Sequence, residues 1–176
     1  MAIDKLAHDF LTRLNSVVKQ KVTVVLIGGN ALTLLGLKKA TEDIDIICRS
    51  TDPIVANFCR EYPKRYKIKV DFFIDGLFKN IRIKDYLVSA YPHNEAEFPN
   101  IELKILNLHD ILLMKIARFL PRDLDDVAKV LSLTDVNEKD LDQRFRYLIK
   151  YTMGDKTDFV EKYENFKRLY GNLLKS

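Results

Sequence analysis

Two adjacent glycines limit what this chain can fold into more than any other feature. An apolar run, Val22 to Ile27, stops at Gly28-Gly29 and gives way to Asn30-Ala31-Leu32-Thr33-Leu34-Leu35, whose apolar spacing suits a short buried helix. The pattern predicts a strand, a glycine turn and a helix start. Lacking Cβ atoms, the glycines let another group approach the backbone, and free N–H groups at a helix start favour an anion such as phosphate. After Gly36, Asp43-Ile44-Asp45-Ile46-Ile47 reads as a second strand. Side chains alternate across a strand, so Asp43 and Asp45 leave one face while Ile44 and Ile46 leave the other. Carboxylates spaced in this way can share divalent cations. Taken singly, each piece is commoner as ordinary structure. Together they demand more, because charges interrupting an isoleucine strand are costly to bury unless a cation or hydrogen-bond donors compensate.

Gly28-Gly29, a short helix and then Thr41-Glu42-Asp43-Ile44-Asp45 resemble the motif of the polymerase-beta-type nucleotidyltransferase superfamily, which pairs Gly-Gly or Gly-Ser with a downstream Asp-x-Asp or Asp-x-Glu. Within that superfamily the chain is most similar to the small prokaryotic branch near the AbiEii-like toxins, over roughly Val22 to Leu131. The resemblance implies metal-dependent transfer of a nucleoside monophosphate from an NTP to an acceptor hydroxyl on tRNA, another nucleic acid, a protein or a small molecule. Asp43 and Asp45 would hold two Mg²⁺ (or Mn²⁺) ions, and Asp71 matches the third carboxylate, supplied by a neighbouring strand. Gly28, Gly29 and Asn30 would hold the β- and γ-phosphates through backbone N–H groups. The helix around Lys115, followed by Arg122-Asp123-Leu124-Asp125-Asp126, resembles a Lys-bearing helix and Lys/Arg-Asp-x-x-Asp segment of the AbiEii-like branch. By that match Lys115 contacts nucleotide phosphate and Asp126 supports the site, with Asp123 and Arg122 second. The family often places an Arg two positions ahead of its Thr-x-Asp-x-Asp segment; Lys39 stands there in this chain. The branch also implies a toxin with a cognate antitoxin. A catalytically degenerate nucleotide or nucleic-acid binding module on the same fold is the competing expectation.

Elsewhere the chain reads as alternating elements. Ile3, Leu6, Ala7, Phe10, Leu11, Leu14, Val17 and Val18 recur with helical period. Ser50-Thr51-Asp52-Pro53 predicts a helix start, with the helix running to about Tyr62. Tyr66 to Ile74 reads as a strand with Lys67, Lys69, Asp71 and Phe73 on one face, and the ordinary role for Asp71 there is an ion pair with Lys67 or Lys69. A short strand is expected near Ile81 to Ile83, a polar loop from Tyr91 to Glu95, and a strand from Ile101 to Leu106. Asn107 and Asp110 form a capping-box variant opening an almost wholly apolar helix, and acidic residues after Pro121 suit another helix start. Beyond Val136, helical patterns centre on Leu141, Phe145, Leu148 and Ile149 and, after Gly154, on Phe159, Tyr163, Phe166, Leu169 and Tyr170. A base could stack on Tyr163, Phe166 or Tyr170, although aromatics at helical spacing are usually core.

The chain's 176 residues, 47% of them hydrophobic, suffice for one sizeable core. The expected fold class is α/β: a small mixed sheet with flanking helices and a helical C-terminal portion, residues 1–106 forming the catalytic core and 107–176 the helical part, or all one compact domain. A net charge of +4, with Arg60, Lys64, Arg65, Lys67, Lys69, Lys79, Arg82 and Lys84 clustered in sequence, permits a nucleic-acid partner without demanding one. Two cysteines without CxxC spacing indicate neither a zinc site nor a disulfide framework. With no signal peptide or membrane-length apolar run, the expectation is a cytoplasmic protein with no membrane partner.

Overall fold

The computed structural model describes residues 3–49, 53–74, 86, 89–93, 97–152 and 155–175. The amphipathic N-terminal pattern forms helix α1 (Lys5–Val17), which buries Ala7, Phe10, Leu11 and Leu14. Strand β1 (Val22–Leu26) follows, then α2 (Gly28–Leu34), β2 (Asp43–Arg49), α3 (Pro53–Tyr66) and β3 (Lys69–Ile74). Next come β4 (Tyr91–Pro92), β5 (Ile101–Ile105), α4 (Leu108–Arg118), α5 (Pro121–Leu133), α6 (Glu138–Tyr151) and α7 (Thr157–Tyr170). The result is an α/β fold with one five-stranded mixed sheet, ordered β3-β2-β1-β5-β4. Strand β1 pairs antiparallel with β2 and parallel with β5, while β2 pairs parallel with β3. Placed centrally, β1 is apolar at almost every position because both of its faces are covered.

Helices α1 and α3 pack on each other and cover the sheet face on which Ile44 and Ile46 project; Phe10 meets Phe58 and Tyr62 edge-on, at 5.4 and 5.0 Å. The opposite face carries α2 and α4, and α4 in turn supports α5, α6 and α7. One apolar cluster runs through these layers from Phe10 to Leu174. Among the described residues, no helix is long and apolar enough to cross a membrane.

Helix α3 departs from expectation. It continues through Pro63 to Tyr66, so the following strand begins at Lys69 rather than Tyr66. A proline inside a helix costs a backbone bond. Here a ladder of rings holds the final turn, with Tyr62 5.5 Å from Phe58 and 4.5 Å from Tyr66. Arg13 adds to it, donating to the Tyr66 hydroxyl at 3.0 Å while lying over the ring. Reversal comes at Lys67, in the left-handed region at φ 59°. The expected loop at Tyr91 is in part strand, since Tyr91 and Pro92 pair with Ile105 and Lys104 at the sheet edge, where a proline sacrifices no ladder bond. The strand expected near Ile81, the cap at Ser50 to Asp52 and Gly154 lie outside the described residues.

The cap at α4 forms as its spacing predicts: the Asp110 N–H donates to Asn107 Oδ1 at 2.8 Å. The Asp110 carboxylate, fully buried, also accepts two bonds from the Arg144 guanidinium, at 2.6 and 2.9 Å, which ties α6 to the first turn of α4.

Candidate active site

Parallel pairing of β2 with β3 sets Asp45 directly opposite Asp71 and Asp43 opposite Lys69. The alternation that hides Ile44 and Ile46 turns the carboxylates to the other face. One ligand atom from each of Asp43, Asp45 and Asp71 lies within 4.8 Å of the others. Burial, reinforced by the charges of Asp43 and Asp71, drives the Asp45 carboxyl from 3.8 up to about 6; Arg118 and the Gly29 N–H oppose the rise without cancelling it. Asp71 also pairs with Lys69 on its own strand face, so the ordinary role foreseen for it coexists with membership of the cluster.

The glycine bend is shaped by these carboxylates. Gly28 sits at φ 53°, and a Cβ there would overlap Asp45 Oδ2. A Cβ on Gly29 would come within 2.6 Å of Thr41 Oγ1, the hydroxyl that donates to Asp43 Oδ1 at 2.9 Å. Both glycines therefore clear space for side chains of the acidic strand. The Gly29 N–H is itself engaged by the Asp45 carboxylate. Asn30, buried at 1% exposure, accepts from the Asp45 backbone N–H at 2.6 Å and donates to the Asp43 carbonyl at 3.3 Å. Its side chain thus clamps α2 to β2, a role that its place after the glycines did not reveal.

Across the cleft stands α4, with Lys115 and Arg118 three residues apart and hence on one helix face. Lys115 is 3% exposed; its ammonium donates to Asp126 Oδ2 at 2.6 Å and to Asp123 Oδ1 at 3.4 Å. Lys38, from the connection between α2 and β2, donates to the same Asp126 oxygen at 3.1 Å. Burial pushes the Asp126 carboxyl up, but Lys115 and then Lys38 outweigh it and hold the group below the usual carboxylate range. Arg118 grips Asp123 in a two-pronged pair, Nε to Oδ2 at 3.1 Å and Nη2 to Oδ1 at 2.5 Å. Asp123 is fully buried, whereas Arg118 keeps part of its side chain at the surface.

Gly28, Asp45, Asp71, Met114, Lys115 and Arg118 line a cleft of about 30 Å³. That is room for about two water-sized bodies. Gly28, Lys115 and two of the three acids thus share one cleft, with Asp43 completing the acid cluster, while Asp126 reaches the cleft only through Lys115. Arg122 and Lys39 are exposed. Tyr163 and Phe166 are core: Tyr163 stacks on Phe145 at 3.8 Å, and Phe166 has no exposed surface. Sequence reasoning passed over Arg118, Lys38 and Thr41. Spacing could have found Arg118, one turn beyond Lys115; nothing local distinguishes Lys38 from Lys39.

A family model described as "Nucleotidyltransferase of unknown function (DUF6036)" matches residues 2–171. No curated protein and no solved structure matches the chain.

Proposed function

The chain belongs to the DUF6036 family of nucleotidyltransferases of unknown function, and from that premise we propose that it transfers a nucleoside monophosphate from an NTP to an acceptor hydroxyl at Asp43, Asp45 and Asp71, with Mg²⁺ or Mn²⁺ as cofactor. The observation that carries this reading is the acid cluster itself, three carboxylates within 4.8 Å around one whose carboxyl is held up at about 6. Lys69 pairs with Asp71, and Arg118 offsets the Asp45 rise only in part; the set's hard oxygen donors suit Mg²⁺ or Mn²⁺. When bound, two divalent ions would neutralise the triphosphate and polarise the attacking and leaving oxygens.

The chain's own groups supply the rest. Thr41 orients Asp43, and the Gly29 N–H orients Asp45. Asp71, from the neighbouring strand, receives the acceptor hydroxyl's proton. Arg118, aimed by Asp123, meets the departing pyrophosphate with a planar guanidinium. Lys115 adds positive charge behind it, held by Asp126, and the backbone N–H groups of Gly28 and Asn30 at the start of α2 receive the β- and γ-phosphates. Nucleotide sites usually span about 300–1,000 Å³, so the tight cleft serves ions and phosphate oxygens while sugar and base extend from its mouth.

The test is incubation with Mg²⁺, α-labelled NTPs and total RNA. Label should enter the acceptor with release of pyrophosphate, and Asp43→Ala should abolish it. Tight NTP binding without turnover would instead mark a non-catalytic binding module. Growth arrest on expression, relieved by a co-expressed partner, would extend the reading to a toxin with its antitoxin.

A further inference from the structure

A groove of about 750 Å³ runs along the outer face of α6, lined there by Lys139, Gln143, Arg146, Tyr147 and Lys150 beside two acids. Lys139, Gln143, Arg146 and Lys150 fall at helical spacing and form one stripe, with Arg146 and Lys150 about 6 Å apart along the axis. Tyr147 and Tyr151 form the adjacent stripe, their rings 4.8 Å apart and their side chains well exposed, at 37% and 46%. The two acids are Glu138 and Asp142. Lys167 pairs with both, and Asp142 also accepts from the Tyr163 hydroxyl at 2.6 Å. Lys167 offsets one of these two charges, so the cations of the groove stay in excess of its acids. Lys139, Arg146 and Lys150 are exposed and carry no ion pair among the described residues.

Cations in a row beside exposed rings are complementary to a polyanion that also presents flat faces. An acidic peptide would satisfy the cations and leave the tyrosines unused. A duplex would satisfy the cations and keep its bases stacked away from the rings. The groove is also braced to the cleft: Arg144, 5.0 Å from the Tyr147 ring centroid, is the residue that holds Asp110 in the first turn of α4, and later turns of α4 line the cleft.

We propose that this face of α6 binds single-stranded nucleic acid and presents it as the acceptor strand. The acceptor role rests on the transfer reading above; the binding itself does not.

Fluorescence anisotropy with a short labelled single-stranded RNA of mixed sequence tests it, across a range of salt. The protein binds, and affinity falls steeply as salt rises. The Lys139→Glu/Arg146→Glu/Lys150→Glu variant binds on the order of tenfold or more weakly, and its slope of log affinity against log salt is shallower by about 2, since each lost single-strand phosphate contact removes about 0.7. Tyr147→Ala/Tyr151→Ala weakens binding on the order of tenfold per ring with the slope unchanged. Should charge reversal perturb folding by circular dichroism, the Gln versions at the same three positions take its place, with the same expectation. Absence of binding by the unmodified protein, or equal affinity in the charge variants, overturns the proposal. So does competition by polyglutamate as effective as by RNA combined with indifference to the tyrosine variant, which would mark an acidic protein segment. Mg²⁺-NTP binding, measured in parallel, stays unchanged in these variants. Failure of the unmodified protein to bind NTP would sink the transfer reading while leaving the RNA result standing.

Discussion

Replacing Asp45 by Asn should stabilise the protein when divalent ions are absent. Burial and then the charges of Asp43 and Asp71 raise the folded-state carboxyl to about 6, against 3.8 in the unfolded chain. Below 3.8 both states hold the proton and the group costs nothing. Between 3.8 and 6 the unfolded chain releases a proton that the folded one keeps, so stability falls as pH rises; above 6 the cost is constant. At about 1.36 kcal/mol per pH unit it amounts to about 3 kcal/mol. Asn has nearly the same volume, can still accept from the Gly29 N–H and carries no charge. Thermal unfolding in EDTA at pH 8 should therefore place Asp45→Asn about 6–12 °C above the unmodified protein. The two should converge toward pH 4. Mg²⁺ or Mn²⁺ should then raise the unmodified protein's Tm and leave the variant's nearly unmoved. Equal midpoints at pH 8 in EDTA, or a less stable variant, would refute the view of these carboxylates as a cluster strained for want of a cation.

Gly28→Ala should lose activity and about 1–2 kcal/mol in urea unfolding from its left-handed backbone alone, with more from overlap with Asp45 Oδ2; wild-type values for both would contradict the close approach. Lys115→Met should destabilise by about 2 kcal/mol, less than the ~3–5 kcal/mol of a fully orphaned buried charge, because Asp123 keeps Arg118 and Asp126 keeps Lys38. The difference from wild type should shrink as pH drops below the usual carboxylate range and Asp126 takes up a proton. Burial pushes the thiols of Cys48 and Cys59 up to about 12, so both should resist iodoacetamide in the native protein and react in denaturant; native labelling would show that the core opens readily.

Local chemistry made some elements legible. Asn107 and Asp110 announced a helix start, and alternation along Asp43 to Ile47 told which side chains would share a face, because both patterns act over a few residues. The glycine bend was legible too, but only one side of its purpose. Free N–H groups suggested an external anion, while the close neighbours of Gly28 and Gly29 turn out to be Asp45 and Thr41, brought there by β-pairing that no local pattern encodes. Helix α3 ran through Pro63 because Tyr62 of α3 and Arg13 of α1 hold the Tyr66 ring beyond it, an effect in part tertiary that overrides a reliable local breaker. Lys38 escaped for a similar reason, since it owes its place to Asp126, 88 residues further along the chain; Arg118, one turn beyond Lys115 and five residues before Asp123, was within reach of a local reading.

The most direct measurement is a crystal structure with Mn²⁺ and a non-hydrolysable NTP, with the ions located by their anomalous signal. Transfer at this site predicts Mn²⁺ coordinated by oxygens of Asp43, Asp45 and Asp71, bridging to the nucleotide's phosphates, with Arg118 against those phosphates. Nucleotide bound elsewhere on the protein, or Mn²⁺ absent from the three carboxylates at saturating concentration, would contradict it.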